Sequence, residues 1–179
     1  MNDLPSKENK ECYVRELFNT IAGRYDLLNS LMSLGMDDSW RRFAVKRSEA
    51  GPGSQVLDLC CGTGKITLEL ARRVGASGHV TGLDFSEKML DVARQSVAAS
   101  GLGNRITLVQ GNAMSLPFPD NSFDAVTVGW GLRNVPDIFT VVKEMERVLK
   151  PGGMAVSVDM AKPEMPVFKE VYWLYFEKM

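Results

Sequence analysis

An apolar run, Val56-Leu57-Asp58-Leu59-Cys60-Cys61, leads directly into Gly62-Thr63-Gly64-Lys65. Two glycines in such a turn let the backbone approach a ligand closely. A dinucleotide site would continue as G-x-G-x-x-G, but Thr67 stands at the third glycine position, so that fingerprint is incomplete. Asp58 discriminates further. Its carboxylate, close to a helix N-terminus, repels a pyrophosphate, whereas S-adenosylmethionine has no phosphate and offers an ammonium and a sulfonium that a carboxylate attracts. Asp58, Gly62 and Gly64 are therefore candidate cofactor-binding residues for that methyl donor, with NAD as the disfavoured alternative.

Three further groups recur at the ends of apolar runs. Asp84 follows His79-Val80-Thr81-Gly82-Leu83, 20 residues beyond Gly64, where a carboxylate can accept both hydroxyls of a ribose. Alone it identifies a ribose and no more. Gly111-Asn112-Ala113 offers an amide and a small neighbour that can line a slot for an adenine. Gly129-Trp130-Gly131-Leu132-Arg133-Asn134 turns abruptly from glycine-rich to polar.

The elements that must hold these groups read as alternating β and α segments around a parallel sheet, an α/β fold. Strands are expected at 55–60, 79–84, 105–110, 123–130 and 154–160, and helices near 65–75, 86–100 and 136–149. Helix 86–100 opens on Ser86-Glu87 and buries Met89, Leu90, Ala93 and Val97 along one face. Pro151-Gly152-Gly153 is expected to stop the preceding helix and turn the chain into the last strand. Each candidate group thus sits at the carboxyl end of its own strand, the rim where open α/β sheets bind ligands. Residues 1–50 differ in texture: Val14, Leu17, Phe18 and Ile21 repeat at helical spacing, a Leu/Met-rich stretch runs from Leu27 to Met36, and a helix with an acidic first turn begins near Asp37. The expected organisation is a helical extension, 1–50, over a domain spanning 51–179. The Leu27–Met36 stretch reads either as core packing or as an apolar entry lip, and Arg41, Arg42, Lys46 and Arg47 either as a solvated face or as contacts to anionic lipid.

Composition narrows the partners. The 179 residues carry 21 Lys+Arg against 22 Asp+Glu, so no basic surface points to nucleic acid, and a small-molecule partner is favoured. No apolar run is long enough for a membrane span and the polar start lacks a signal-peptide core, which makes the cytoplasm the expected location. Cys12, Cys60 and Cys61 suit neither a disulfide framework nor a zinc site, and no metal is expected. His79, in a polar turn, carries no assigned role.

VLDLCCGTG, the Asp84 strand end, GNA, LPFPDNSFD, GLRNV and RVLKPGG, in that order, resemble the motifs of the ubiquinone/menaquinone biosynthesis methyltransferase family. FNTIAGRYD, LNSLMSLG and WRR in the first 50 residues resemble it too, so the similarity covers almost the whole chain. It implies a Rossmann-like methyltransferase fold and S-adenosylmethionine contacts from Thr63, Asp84, Asn112, Ala113 and the position of Gly129, with Tyr25 closing over the cofactor. Many relatives carry Ser where this chain has Gly129, and a glutamate where it has Asp159. The fold usually adds an antiparallel hairpin of strands six and seven, for which the residues up to Met179 leave no room; strand five would then be an open edge, so the expectation is either a truncated chain or an edge covered by a partner chain such as a second copy in a homodimer. The implied reaction is C-methylation of a prenylated quinol in menaquinone or ubiquinone biosynthesis. For that chemistry Arg133, just beyond the fourth strand, is the candidate catalytic cation stabilising a phenolate, and a carboxylate, Asp26 or Asp159, or else water takes the proton. Such a lipid acceptor implies transient contact with a membrane surface. Methylation of another small molecule, or cofactor binding without turnover, remain the alternatives.

Overall fold

The computed structural model describes residues 7–160. Helices α1 (Lys7–Ile21), α2 (Tyr25–Met32) and α3 (Asp37–Arg47) precede five strands, β1 (Gln55–Leu59), β2 (His79–Asp84), β3 (Ile106–Gln110), β4 (Phe123–Gly129) and β5 (Leu149–Val158). Helices α4 (Lys65–Val74), α5 (Glu87–Ser100) and α6 (Ile138–Val148) connect them. Every strand pair is parallel, in the order β3-β2-β1-β4-β5. The switch of direction on either side of β1 makes its carboxyl end the natural ligand edge.

Alternation along the strands builds a core on each face of the sheet. Val56, Val80 and Ala125 pack against Ile66, Leu70 and Val74 of α4. Leu57, Leu59, Val126 and Val128 pack against Val141, Met145 and Val148 of α6. Near-continuous apolar strands are what a sheet covered on both faces requires. Leu59 lies opposite Leu83 on one side and Val128 on the other, so the loops after β1, β2 and β4 open on one rim.

Element ends differ from the sequence expectations where backbone conformation intervenes. β1 stops at Leu59 because Cys60 adopts φ +52, and β4 stops at Gly129 because Trp130 adopts φ +55; left-handed residues cannot continue a strand. α5 is capped as expected, the Ser86 hydroxyl accepting the Met89 N–H. The last strand is the larger correction: it begins at Leu149, and Pro151-Gly152-Gly153 lies inside it. Phe123 pairs with Leu149 but Ala125 with Met154, so the glycines bulge out of the strand, Gly152 at φ +82. The end of the expected 51–179 domain, from residue 161 on, lies outside the described residues.

Candidate functional site

The rim is organised around Asp84. The turn after β1 reverses through three left-handed residues, Cys60, Gly62 (φ +56) and Gly64 (φ +80), and a Cβ on Gly64 would press to 3.2 Å from Ala93 of α5. Glycine is required at 64 on both counts. The reversal turns the Gly62 N–H onto Asp84 Oδ2 at 2.8 Å, while Asp84 Oδ1 accepts the Ser86 N–H at 2.9 Å. One carboxylate thus ties the glycine turn to the start of α5. Burial raises its pKa, opposed by these backbone hydrogen bonds.

Asp58 is fully buried in the middle of β1. Thr67 of α4 donates to Oδ2 at 2.7 Å and Thr127 of β4 donates to Oδ1 at 2.8 Å. Desolvation pushes its carboxyl up to about 6 against those two hydroxyls. The carboxyl therefore braces α4 and β4 from behind the glycine turn. Burial and the charges of Asp84 and Asp58 push both adjacent thiols, Cys60 and Cys61, upward, which keeps them protonated.

A cleft opens above this floor, lined by Gly62, Asp84, Asn112, Ala113 and Gly129 below and roofed by Glu11, Val14, Phe18 and Tyr25. Tyr25 meets Phe18 edge-on, ring centroids 5.7 Å apart. Polar contacts join roof to floor: Thr63 donates to Asp26 Oδ1 at 2.8 Å, Ser86 to Asn19 Oδ1 at 2.7 Å, and Asn112 Nδ2 to Glu11 Oε1 at 3.5 Å. Asn112 Oδ1 accepts the Met114 N–H, which fixes its amide orientation. Of the cofactor candidates, Tyr25, Gly62, Asp84, Asn112, Ala113 and Gly129 converge on this cleft. Thr63 is buried and joins Gly62, Tyr25, Asp58 and Gly129 around an adjoining polar pocket, while Gly64 supports the turn from beneath. At Gly129 a side chain would run into the tip of Ile66.

Arg133 lies outside the lining of this cleft. It sits in a short 3-10 turn, Leu132–Asn134, and pairs through Nη1 with Asp159 Oδ1 at 2.9 Å. The expected cation and one expected proton acceptor are each other's partners. Asp26, the other acceptor candidate, is engaged by Thr63 and lies 4.0 Å from Lys65 Nζ. Asp159 instead faces a second cavity of about 410 Å³, walled by Trp40, Phe43, Trp130 and the end of β5. Trp130 borders both cavities, and Arg41 lies 5.5 Å from its ring.

Sequence reading missed the roof residues Glu11 and Val14 as site components, and it read Phe18 only as part of a helical stripe. A buried stripe and a roof over a ligand share the same spacing, so nothing in the pattern separates them. Trp130 was legible only as a residue between two glycines.

The residues present suit an adenosyl amino acid. Asp84 retains acceptor capacity beyond its two backbone partners, and Gly62 presents open space where a side chain would stand. A five-stranded parallel sheet with this glycine turn, an acidic residue ending β2 and no Gly-x-Gly-x-x-Gly is the architecture of Rossmann-like methyltransferases that use S-adenosylmethionine, and the chain is an enzyme of that class. Among solved structures it superimposes on the [4+2]-cyclase SpnF with a TM-score of 0.72 at 27% identity, covering 85% of this chain and 62% of that one. A methyltransferase from Aquifex aeolicus gives a TM-score of 0.64 at 24% identity over 77% of each. The cyclase shows that the fold alone does not fix a reaction. Sequence does so more narrowly: the chain belongs to the ubiE/COQ5 methyltransferase family, whose model matches residues 6–179. A demethylmenaquinone methyltransferase of Desulfitobacterium hafniense is 58% identical over 174 residues, 97% of this chain and 69% of that protein.

Proposed function

We propose that this chain methylates a ring carbon of a prenylated quinol, demethylmenaquinol before a ubiquinol precursor, and that its acceptor ring occupies the cavity beside Trp130. The observation that carries this reading is the junction of two unlike cavities at one residue. On one side of Trp130 lies a cleft floored by Asp84 and Asn112; on the other lies an aromatic cavity ending at Asp159. A nucleoside and a flat aromatic ring can therefore meet end to end. The relative from Desulfitobacterium hafniense, named for demethylmenaquinone, supplies the acceptor class.

When bound, S-adenosylmethionine supplies an electrophilic methyl group on a sulfonium. The protein's share is positioning and charge. Asp84 accepts the ribose hydroxyls, Asn112 and Ala113 line the adenine slot, and Gly62, Thr63 and Gly64 receive the amino-acid end beside the charge of Asp58. Tyr25 closes the roof, and Gly129 leaves room for the reacting centre. Arg133 stabilises the ring hydroxyl as a phenolate, which raises the nucleophilicity of the neighbouring carbon. Asp159, already ion-paired with it, is placed to take the proton released as the ring regains aromaticity.

Among the described residues no helix is long and apolar enough to cross a membrane. We place the enzyme in the cytoplasm, meeting its lipid acceptor at the membrane surface. The test is transfer of isotope-labelled methyl from S-adenosylmethionine to reduced demethylmenaquinone. One labelled methyl on the ring per S-adenosylhomocysteine supports the reading. Cofactor binding with no transfer to any quinol contradicts it.

A further inference from the structure

Helix α2 is built inside out. Asp26, Asn29 and, one turn on, Ser33 recur at i, i+3 and i+7 and face the protein. Asp26 holds Thr63, Asn29 lines the polar pocket beneath the glycine turn, and Ser33 is buried against Asp37 at 2.9 Å. The other side carries Leu27, 71% exposed, and Leu28, and the chain continues into Leu34, 76% exposed, and Met36. No residue of α2 is buried. A helix resting on a core shows the reverse, polar residues outward.

Leu34 sharpens the point. It holds φ +52, a conformation that asparagine or glycine adopts at far lower cost, while its side chain faces solvent. Leucine there strains the backbone while most of its side chain stays in solvent, so burial among the described residues does not explain it. Cationic side chains flank this surface along the chain: exposed Arg24 just before α2, and exposed Arg42, Lys46 and Arg47 around exposed Phe43 on α3. Asp38, the exposed acid nearby on α3, is ion-paired with Arg41.

We infer that the outer face of α2, with the turn through Leu34 and Met36, docks on an anionic lipid surface. Apolar side chains bordered by arginine and lysine fit a helix lying in a headgroup layer. A second protein copy fits poorly, because a stable interface takes about 20–30 residues a side and this patch offers a handful. The inference rests on the lipid acceptor proposed above: the inner face of α2 touches the glycine turn, so docking brings the site to the surface where that acceptor resides.

The test uses the full chain and phosphatidylcholine vesicles with and without phosphatidylglycerol. The parent should sediment with the anionic vesicles, less so at high salt. Leu27→Ser combined with Leu34→Asn should lower that partition by roughly tenfold or more. The same variant should melt no earlier than the parent, because asparagine relieves the strain at 34, and should methylate a short-tailed, water-soluble quinol as the parent does. A parent that ignores the vesicles, or a variant that still binds them, overturns the inference. So does a variant that turns a parent dimer into a monomer, since a second copy then owns the face. Vesicle binding lost in the variant, with no turnover on any quinol by the parent, leaves docking standing and removes the acceptor assignment instead.

Discussion

Asp84→Asn separates the two tasks assigned to one carboxylate. Both oxygens accept a backbone N–H, from Gly62 at 2.8 Å and from Ser86 at 2.9 Å. An asparagine offers one oxygen and one NH2, so in either orientation one of those buried donors faces another donor. Leaving it unpaired costs about 1–3 kcal/mol of stability, less whatever is recovered by removing a carboxylate whose ionisation burial already opposes. The cofactor loses separately, since the ribose hydroxyls no longer meet a charged acceptor. A hydrogen bond to a charged group contributes about 1.5–3 kcal/mol, so S-adenosylhomocysteine should bind roughly 10- to 150-fold more weakly. Titration calorimetry on the folded variant reads the affinity, and thermal denaturation without ligand reads the stability. 5'-Methylthioadenosine, which keeps the ribose and lacks the amino-acid end, should lose the same factor. A folded variant with parental affinity refutes the ribose assignment. A loss for S-adenosylhomocysteine alone moves the defect to the glycine turn.

The buried carboxyl of Asp58 makes the protein's stability fall as pH rises through the range in which it ionises. A folded-state pKa of about 6 against an ordinary 3.8 means stability fully present below pH ~4 and lost as pH rises through 6, about 3 kcal/mol in all. The melting temperature of the parent relative to Asp58→Asn should therefore fall between pH 4 and 7, and parallel curves would count against the buried carboxyl as described. Gly129→Ser should cost at most about 1 kcal/mol, because its Cβ meets only the Cδ1 tip of Ile66, which a rotamer change can move aside; a thermal-denaturation loss well above that would show that Ile66 cannot yield. Arg133→Ala should lower kcat roughly 100-fold or more, with partial recovery at high pH and little change in cofactor affinity. The Arg133–Asp159 pair is half-exposed, so its loss should cost at most about 1 kcal/mol of stability. Early melting with weakened cofactor binding would mark the pair as a loop brace.

The sheet and its rim were legible because strand and helix differ in period, and because Gly62 and Gly64 can only mark a turn. The positions of Asp84 and Asn112 on that rim were legible from their places at the end of β2 and just beyond β3. What the pattern hid was direction. Asp58 reads as a charge near a loop, yet Thr67 and Thr127 close over it from two other elements. Leu27 and Leu28 suit a core helix by composition, and only the contacts of Asp26 and Ser33 show that α2 turns its polar side inward. The partnership of Arg133 with Asp159 joins residues 26 apart in the chain, and no local spacing announces it. The bulge at Gly152 likewise depends on what β4 offers for pairing.

The assignment of the rim to a nucleoside is measured directly by a crystal structure of the chain with S-adenosylhomocysteine. The ribose hydroxyls should lie within about 2.7–3.1 Å of Asp84, the adenine against Asn112 and Ala113, the amino-acid end over Gly62–Gly64, and the sulfur toward Trp130. A nucleoside bound elsewhere, or one whose ribose turns away from Asp84, would contradict it.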